Sequence, residues 1–127
     1  MLFLNRKKVI NLKKHIILSV SIILMLFSVG KAVAHPPKNM GVSWNKEQKT
    51  LFVTAEHAVN DPSKHYILSM SILDGNNQLL VKQYTKQSSS KEFSDSVVLK
   101  DIAPNTKIRI QLLCNIMGST ETTYLIP

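Results

Sequence analysis

Short stretches in which apolar and polar residues alternate recur along the chain, and they restrict it to folds built from strands. From Met40 onward these stretches are separated by turn-forming sequences about every 8 to 12 residues. The clearest turn is "DGNN", residues 74–77, because Gly75 and the asparagines tolerate positive φ. Seven such stretches in about 90 residues predict an all-β fold, a seven-stranded immunoglobulin-like antiparallel β-sandwich.

The alternation also predicts which side chains face the core. The predicted strands cover residues 40–44, 50–57, 65–73, 78–84, 93–99, 107–116 and 120–126. The inward residues of the second strand are predicted to be Leu51, Val53, Ala55 and His57. Those of the third strand are predicted to be Leu68, Met70 and Ile72. Those of the sixth strand are predicted to be Ile108, Ile110, Leu112, Cys114 and Ile116.

Residues 1–34 have the composition of a signal peptide. A basic segment, "NRKKVINLKKH", precedes an apolar run at residues 16–29, and "AVA" then supplies the small residues that a signal peptidase reads. The run is shorter than the roughly 20 residues that span a bilayer, although an uncleaved anchor is the alternative. Cleavage after Ala34 is predicted. The mature domain, residues 35–127, is then exported to the periplasm or outside the cell, with no stable membrane insertion.

The leader also accounts for most of the net positive charge. Six of the 16 Lys and Arg lie in residues 1–34 and all eight acidic residues lie beyond it, so residues 35–127 carry 10 − 8 = +2. The net charge of +8 for the whole chain would suit a nucleic-acid or anionic-membrane binder. Because that excess belongs to the leader, the sequence predicts no nucleic-acid partner.

The only cysteine, Cys114, excludes an intrachain disulfide. Small exported domains often depend on such bridges, so this domain must be stabilised by packing or by a bound ion. A lone thiol in an oxidising compartment must be buried, paired between chains or bound to a metal.

Five side chains of metal-binding type are predicted to meet at one end of the sandwich. If successive strands run up and down, the starts of odd strands and the ends of even strands share that end. The positions that fall there are His35, His57, His65, Cys114 and Met117. Imidazole and thiolate suit iron, copper, zinc or nickel rather than magnesium or calcium. Glu56 and Asp61 are near enough in sequence to hydrogen-bond the residues that bind the metal.

Each of these residues also has an interpretation in which no metal binds. His57 and His65 are then polar residues at strand ends, and Cys114 is a small buried hydrophobe. Met117 is then a packing or loop residue, and His35 is the remnant of the cleaved terminus. The domain would in that case be an immunoglobulin-like adhesion or assembly module.

The segments "HAVNDPSKHYI" and "CNIMG" resemble the iron domain of superoxide reductases and desulfoferrodoxins. The resemblance implies a mononuclear non-haem iron with His35, His57 and His65 as equatorial ligands and Cys114 as the axial thiolate. It also implies an open metal position where superoxide, or another small anion, is reduced by one electron to hydrogen peroxide. The electron donor is unknown. Met117 stands where the family has its last histidine, and Ala58 replaces a proline.

A copper protein is the alternative that the same residues allow. Two histidines and a cysteine with methionine as a weak axial donor form a copper-binding set. After cleavage, His35 would also offer its α-amine together with its imidazole to one ion. The function would then be that of a periplasmic copper carrier or electron-transfer module.

Overall fold

The computed structural model describes residues 10–11, 13–17 and 35–127. They fall into two compact units, Met1–Val33 and Ala34–Pro127. The described residues of the first unit are helical, and no helix within the described residues is long and apolar enough to cross a membrane. The predicted cleavage site at Ala34 and all but residues 16 and 17 of the apolar run lie outside the described residues.

The second unit is built from seven strands in two antiparallel sheets. The strands are β1 Lys38–Asn45, β2 Thr50–Glu56, β3 Ile67–Asp74, β4 Asn77–Gln83, β5 Glu92–Val98, β6 Lys107–Cys114 and β7 Ser119–Leu125. One sheet has the order β1-β2-β5, and the other has the order β4-β3-β6-β7. The predicted all-β fold of seven antiparallel strands is therefore confirmed.

The core forms between the inner faces of the two sheets because each central strand alternates. From Leu51 along β2, buried residues alternate with exposed ones, and along β6 they alternate with exposed or half-buried ones. Burying one such aliphatic side chain contributes about 1.5–3 kcal/mol. The apolar core side chains with no exposed surface are Leu51, Val53, Ile67, Met70, Ile72, Ile108, Ile110 and Leu112.

Two of the predicted inward residues are exposed instead. Leu68 is 37% exposed because the register of β3 against β6 shifts between Ile67 and Ser69. Such a bulge reverses the alternation, so Ile67 takes the buried position. Ile116 is 50% exposed because β6 ends at Cys114 and the chain bends away from the sheet.

A charged contact joins the edge strands of the two sheets. The Tyr84 hydroxyl donates to Asp95 Oδ2 at 2.6 Å, and Lys82 Nζ lies 2.6 Å from the same oxygen. Burial raises the pKa of Asp95, but the hydrogen bonds from Lys82 and Tyr84 outweigh it, so that pKa lies below its ordinary value. Lys82 lies near the end of β4 and Tyr84 directly follows that strand, whereas Asp95 lies on β5.

We expect this contact to make the free energy of unfolding depend on pH in the acidic range. Because the pKa of Asp95 is lower in the folded than in the unfolded state, the stabilisation is present above the unfolded value of about 3.9. It is lost as the pH falls through the folded pKa. Urea unfolding between pH 7 and pH 2 should show a smaller loss for Asp95→Asn than for the wild type. Equal losses in the two proteins would contradict the assignment.

Candidate metal centre

Three donor side chains meet where β2 and β6 end and β3 begins. His57 follows β2, His65 lies two residues before β3, and Cys114 is the last residue of β6. One ligand-type atom from each of the three lies within 4.8 Å of the others. His65 Nε2 is 3.2 Å from Cys114 Sγ, and the His57 and His65 ring centroids are 4.8 Å apart.

The loop between the two histidines is folded by Asp61. Its side chain accepts hydrogen bonds from the Ser63 amide at 3.0 Å and the Ser63 hydroxyl at 2.6 Å. Its carbonyl accepts from the amides of Lys64 and His65. Asp before Pro is a common start for such a turn, and the turn brings His65 back toward the end of β6.

Asn115 fixes this turn to Cys114. Its Oδ1 accepts from the Tyr66 amide at 2.9 Å, and its Nδ2 donates to the Lys64 carbonyl at 2.9 Å. The Asn115 amide in turn donates to the Tyr66 carbonyl at 3.0 Å. The residue next to the cysteine thereby holds both neighbours of His65.

His57 has one satisfied and one unsatisfied ring nitrogen. The side chain has no exposed surface, and Nδ1 lies 2.8 Å from Gln87 Oε1. Nε2 has no hydrogen-bond partner among residues 35–127. An unpaired buried polar atom costs about 1–3 kcal/mol. A metal ion is a partner that would remove that cost, and imidazole nitrogen beside a thiol is a donor set for late transition metals.

His35 lies beside this group. Its ring centroid is 5.6 Å from that of His57 and 5.8 Å from that of His65. The segment that carries it is fixed against the start of β7, because the Thr120 hydroxyl donates to the Pro37 carbonyl. Gly118, at φ +87°, allows a close approach: a Cβ there would lie 2.9 Å from Pro36 Cβ.

The remaining candidates occupy more peripheral positions. Met117 lies in the bend after β6, and its side chain is 64% exposed. Glu56 accepts from Asn39 Nδ2 at 3.0 Å, and Asp61 bonds within its own turn. The ring of His57 is instead bonded to Gln87, in the polar segment "TKQSSSK" between the fourth and fifth strands.

The pKa of His65 is lowered by burial first, and then by the like charges of His57 and His35. A lowered pKa favours the neutral imidazole, which is the form that binds metals.

No family model matches the chain, and no curated protein matches it. Among solved structures, the fold is similar to that of superoxide reductase (1Fe-SOR) from Giardia intestinalis. The identity is 19%, the TM-score is 0.49, and the match covers 72% of this chain and 97% of that chain. That protein is of the family whose motifs the sequence resembles.

Proposed function

We propose that residues 35–127 form an exported, immunoglobulin-like metalloprotein with one non-haem iron held by His35, His57, His65 and Cys114. Its reaction is the reduction of superoxide to hydrogen peroxide, which takes one electron from a reductant and two protons. The observation that carries this proposal is the buried Nε2 of His57, which has no partner in residues 35–127 and belongs to a side chain grouped with those of His65 and Cys114.

The residues of the proposed site have different roles. The three imidazoles and the thiol would hold iron, which when bound would supply the electron that reduces superoxide. Cys114 is 4% exposed, so the sulfur is shielded from bulk oxidants. Cys114 Sγ lies 3.2 Å from His65 Nε2, close enough for both atoms to bind one ion. The ring of His57 is held in place by Gln87.

A surface pocket beside His35 offers a route for a small anion. It is lined by His35, Lys38, Glu56, Ala58 and Lys91. The two lysines outnumber the single carboxylate, which is already bonded to Asn39. A cleft lined mainly by one sign of charge concentrates ions of the opposite sign, so this pocket suits superoxide better than a neutral or cationic substrate.

We expect Lys91→Glu to lower the second-order rate constant for superoxide several-fold, because it reverses the charge balance of the pocket. The difference should shrink as salt is added. Pulse radiolysis of the iron-loaded protein at several ionic strengths measures both effects. The matched control is Lys107→Glu, the same charge change at the opposite end of β6. Equal slowing in both variants would show that the pocket has no steering role.

Metal content and reaction with superoxide test the proposed function directly. Because the proposed ligands hold a single ion, protein purified from the exported fraction should contain about one iron per chain. It should also consume superoxide faster than free iron does. Iron-loaded protein with no rate above that of free iron would contradict the enzymatic function. Protein that retains residues 1–34 in a membrane fraction would contradict cleavage after Ala34.

A copper carrier or electron-transfer protein is the second candidate, and a specific observation favours it. The three donors that lie closest together, His57, His65 and Cys114, are the His₂Cys set of blue-copper sites. Met117 would be the weak axial donor, and it would have to turn inward from its exposed position. Copper without iron in the exported protein would favour this function.

A further inference from the structure

We infer that Gln87 is a positioning residue of the metal centre, which fixes the tautomer of His57 so that Nε2 presents its lone pair to the ion. The inference rests on the proposed metal-binding function. It concerns a residue outside the predicted ligand set, in the segment that joins β4 to β5.

The hydrogen bonds of the Gln87 side chain decide the orientation of its amide. Nε2 donates to the carbonyl of His57 at 2.9 Å and to the carbonyl of Ser89 at 2.8 Å. Both partners are carbonyl oxygens and only accept, so the atom facing them must be the amide nitrogen. The oxygen, Oε1, is therefore the atom that faces His57 Nδ1.

The orientation of the amide in turn decides the tautomer of the histidine. Oε1 only accepts, so at 2.8 Å the hydrogen must be on His57 Nδ1. In a neutral imidazole the other nitrogen then carries a lone pair. That nitrogen is Nε2, the buried atom with no partner in residues 35–127. The tautomer that Gln87 imposes is thus the one that lets Nε2 bind a metal.

Gln87 also hydrogen-bonds the loop that carries His65. Its backbone amide donates to the Pro62 carbonyl at 3.0 Å, and Pro62 lies in the turn that carries His65. The side chain is 5% exposed, so water competes little for these bonds. One residue therefore orients the ring of His57 and anchors the turn that presents the second imidazole.

The test uses the full chain expressed with its own leader, as wild type and as two variants. Gln87→Met keeps an unbranched side chain of similar length and removes the amide. Gln87→Glu keeps an oxygen acceptor for Nδ1–H but loses the two hydrogen bonds that Nε2 donates to the carbonyls of His57 and Ser89. Gln83→Ala, an exposed glutamine on β4, is the control. Long-range ¹H–¹⁵N spectra of the metal-free protein report the tautomer of His57, and chelator competition gives the dissociation constant for Co²⁺.

We expect the wild type and Gln87→Glu to show the Nδ1–H tautomer, and Gln87→Met to show a mixture. Co²⁺ binding should weaken roughly 10- to 100-fold in Gln87→Met. It should weaken less in Gln87→Glu, which keeps the acceptor for Nδ1–H, and stay near the wild-type value in Gln83→Ala. An Nε2–H tautomer in the wild type would overturn the inference, even if no variant folds. So would a Gln87→Met protein with unchanged tautomer and affinity. Wild-type protein that binds no Co²⁺ would overturn the proposed function instead, and the tautomer would still decide the role of Gln87.

Discussion

Cys114→Ser should remove the thiolate-to-metal charge-transfer absorption of the Co²⁺-loaded protein. It should also weaken Co²⁺ binding by more than about 100-fold, which exceeds the loss expected when a residue that only hydrogen-bonds a ligand is changed. The sulfur is the one soft donor in the described group, and a serine hydroxyl does not ionise at neutral pH as a thiol near a metal does. Ultraviolet absorption during a Co²⁺ titration measures both changes.

The control for this experiment is Met117→Leu, which changes the exposed sulfur of the same segment. If the site is the proposed iron site, Met117→Leu should leave the charge-transfer absorption and the affinity for Co²⁺ unchanged. A charge-transfer band that persists in Cys114→Ser would contradict the role of Cys114 as a ligand. A band altered by Met117→Leu in the Cu²⁺-loaded protein would favour the copper protein.

Leu112→Ala should lower the free energy of unfolding by about 2–5 kcal/mol. Leu112 has no exposed surface and belongs to the core cluster between the sheets, so the truncation leaves a cavity. Domains of this kind are stable by only about 5–15 kcal/mol in total, and this one has no disulfide to compensate. Urea unfolding of the metal-free protein measures the loss.

The next residue on the same strand provides the control. Leu113 is 41% exposed on the outer face of β6, and Leu113→Ala should change the free energy of unfolding by no more than about 0.5 kcal/mol. Equal losses at positions 112 and 113 would contradict the inner and outer faces assigned to this strand.

The alternation of apolar residues was sufficient to predict the strands, because each central strand has one face in the core. It failed at Leu68, where a bulge in β3 reverses the parity. A bulge depends on how two strands pair, and the pattern of one strand does not contain that information. It failed again at Ile116, because the chain leaves the sheet at Cys114 and the apolar pattern continues past that point.

The gathering of histidines and cysteine could be anticipated because up-and-down strands bring alternate ends together. The structure brings His57, His65 and Cys114 into one group. Their roles as ligands, with those of His35 and Met117, stay predictions. Gln87 could not be anticipated, since its place beside His57 depends on a segment without regular secondary structure folding back over the end of β2.

Anomalous diffraction from crystals of the Zn²⁺-loaded protein tests most directly whether this end of the sandwich binds one ion. The predicted result is a single peak about 2.0–2.1 Å from Nε2 of His57 and His65 and about 2.3 Å from Cys114 Sγ. A peak elsewhere on the molecule, with His57 Nε2 still unpaired and the thiol packed among aliphatic side chains, would contradict it.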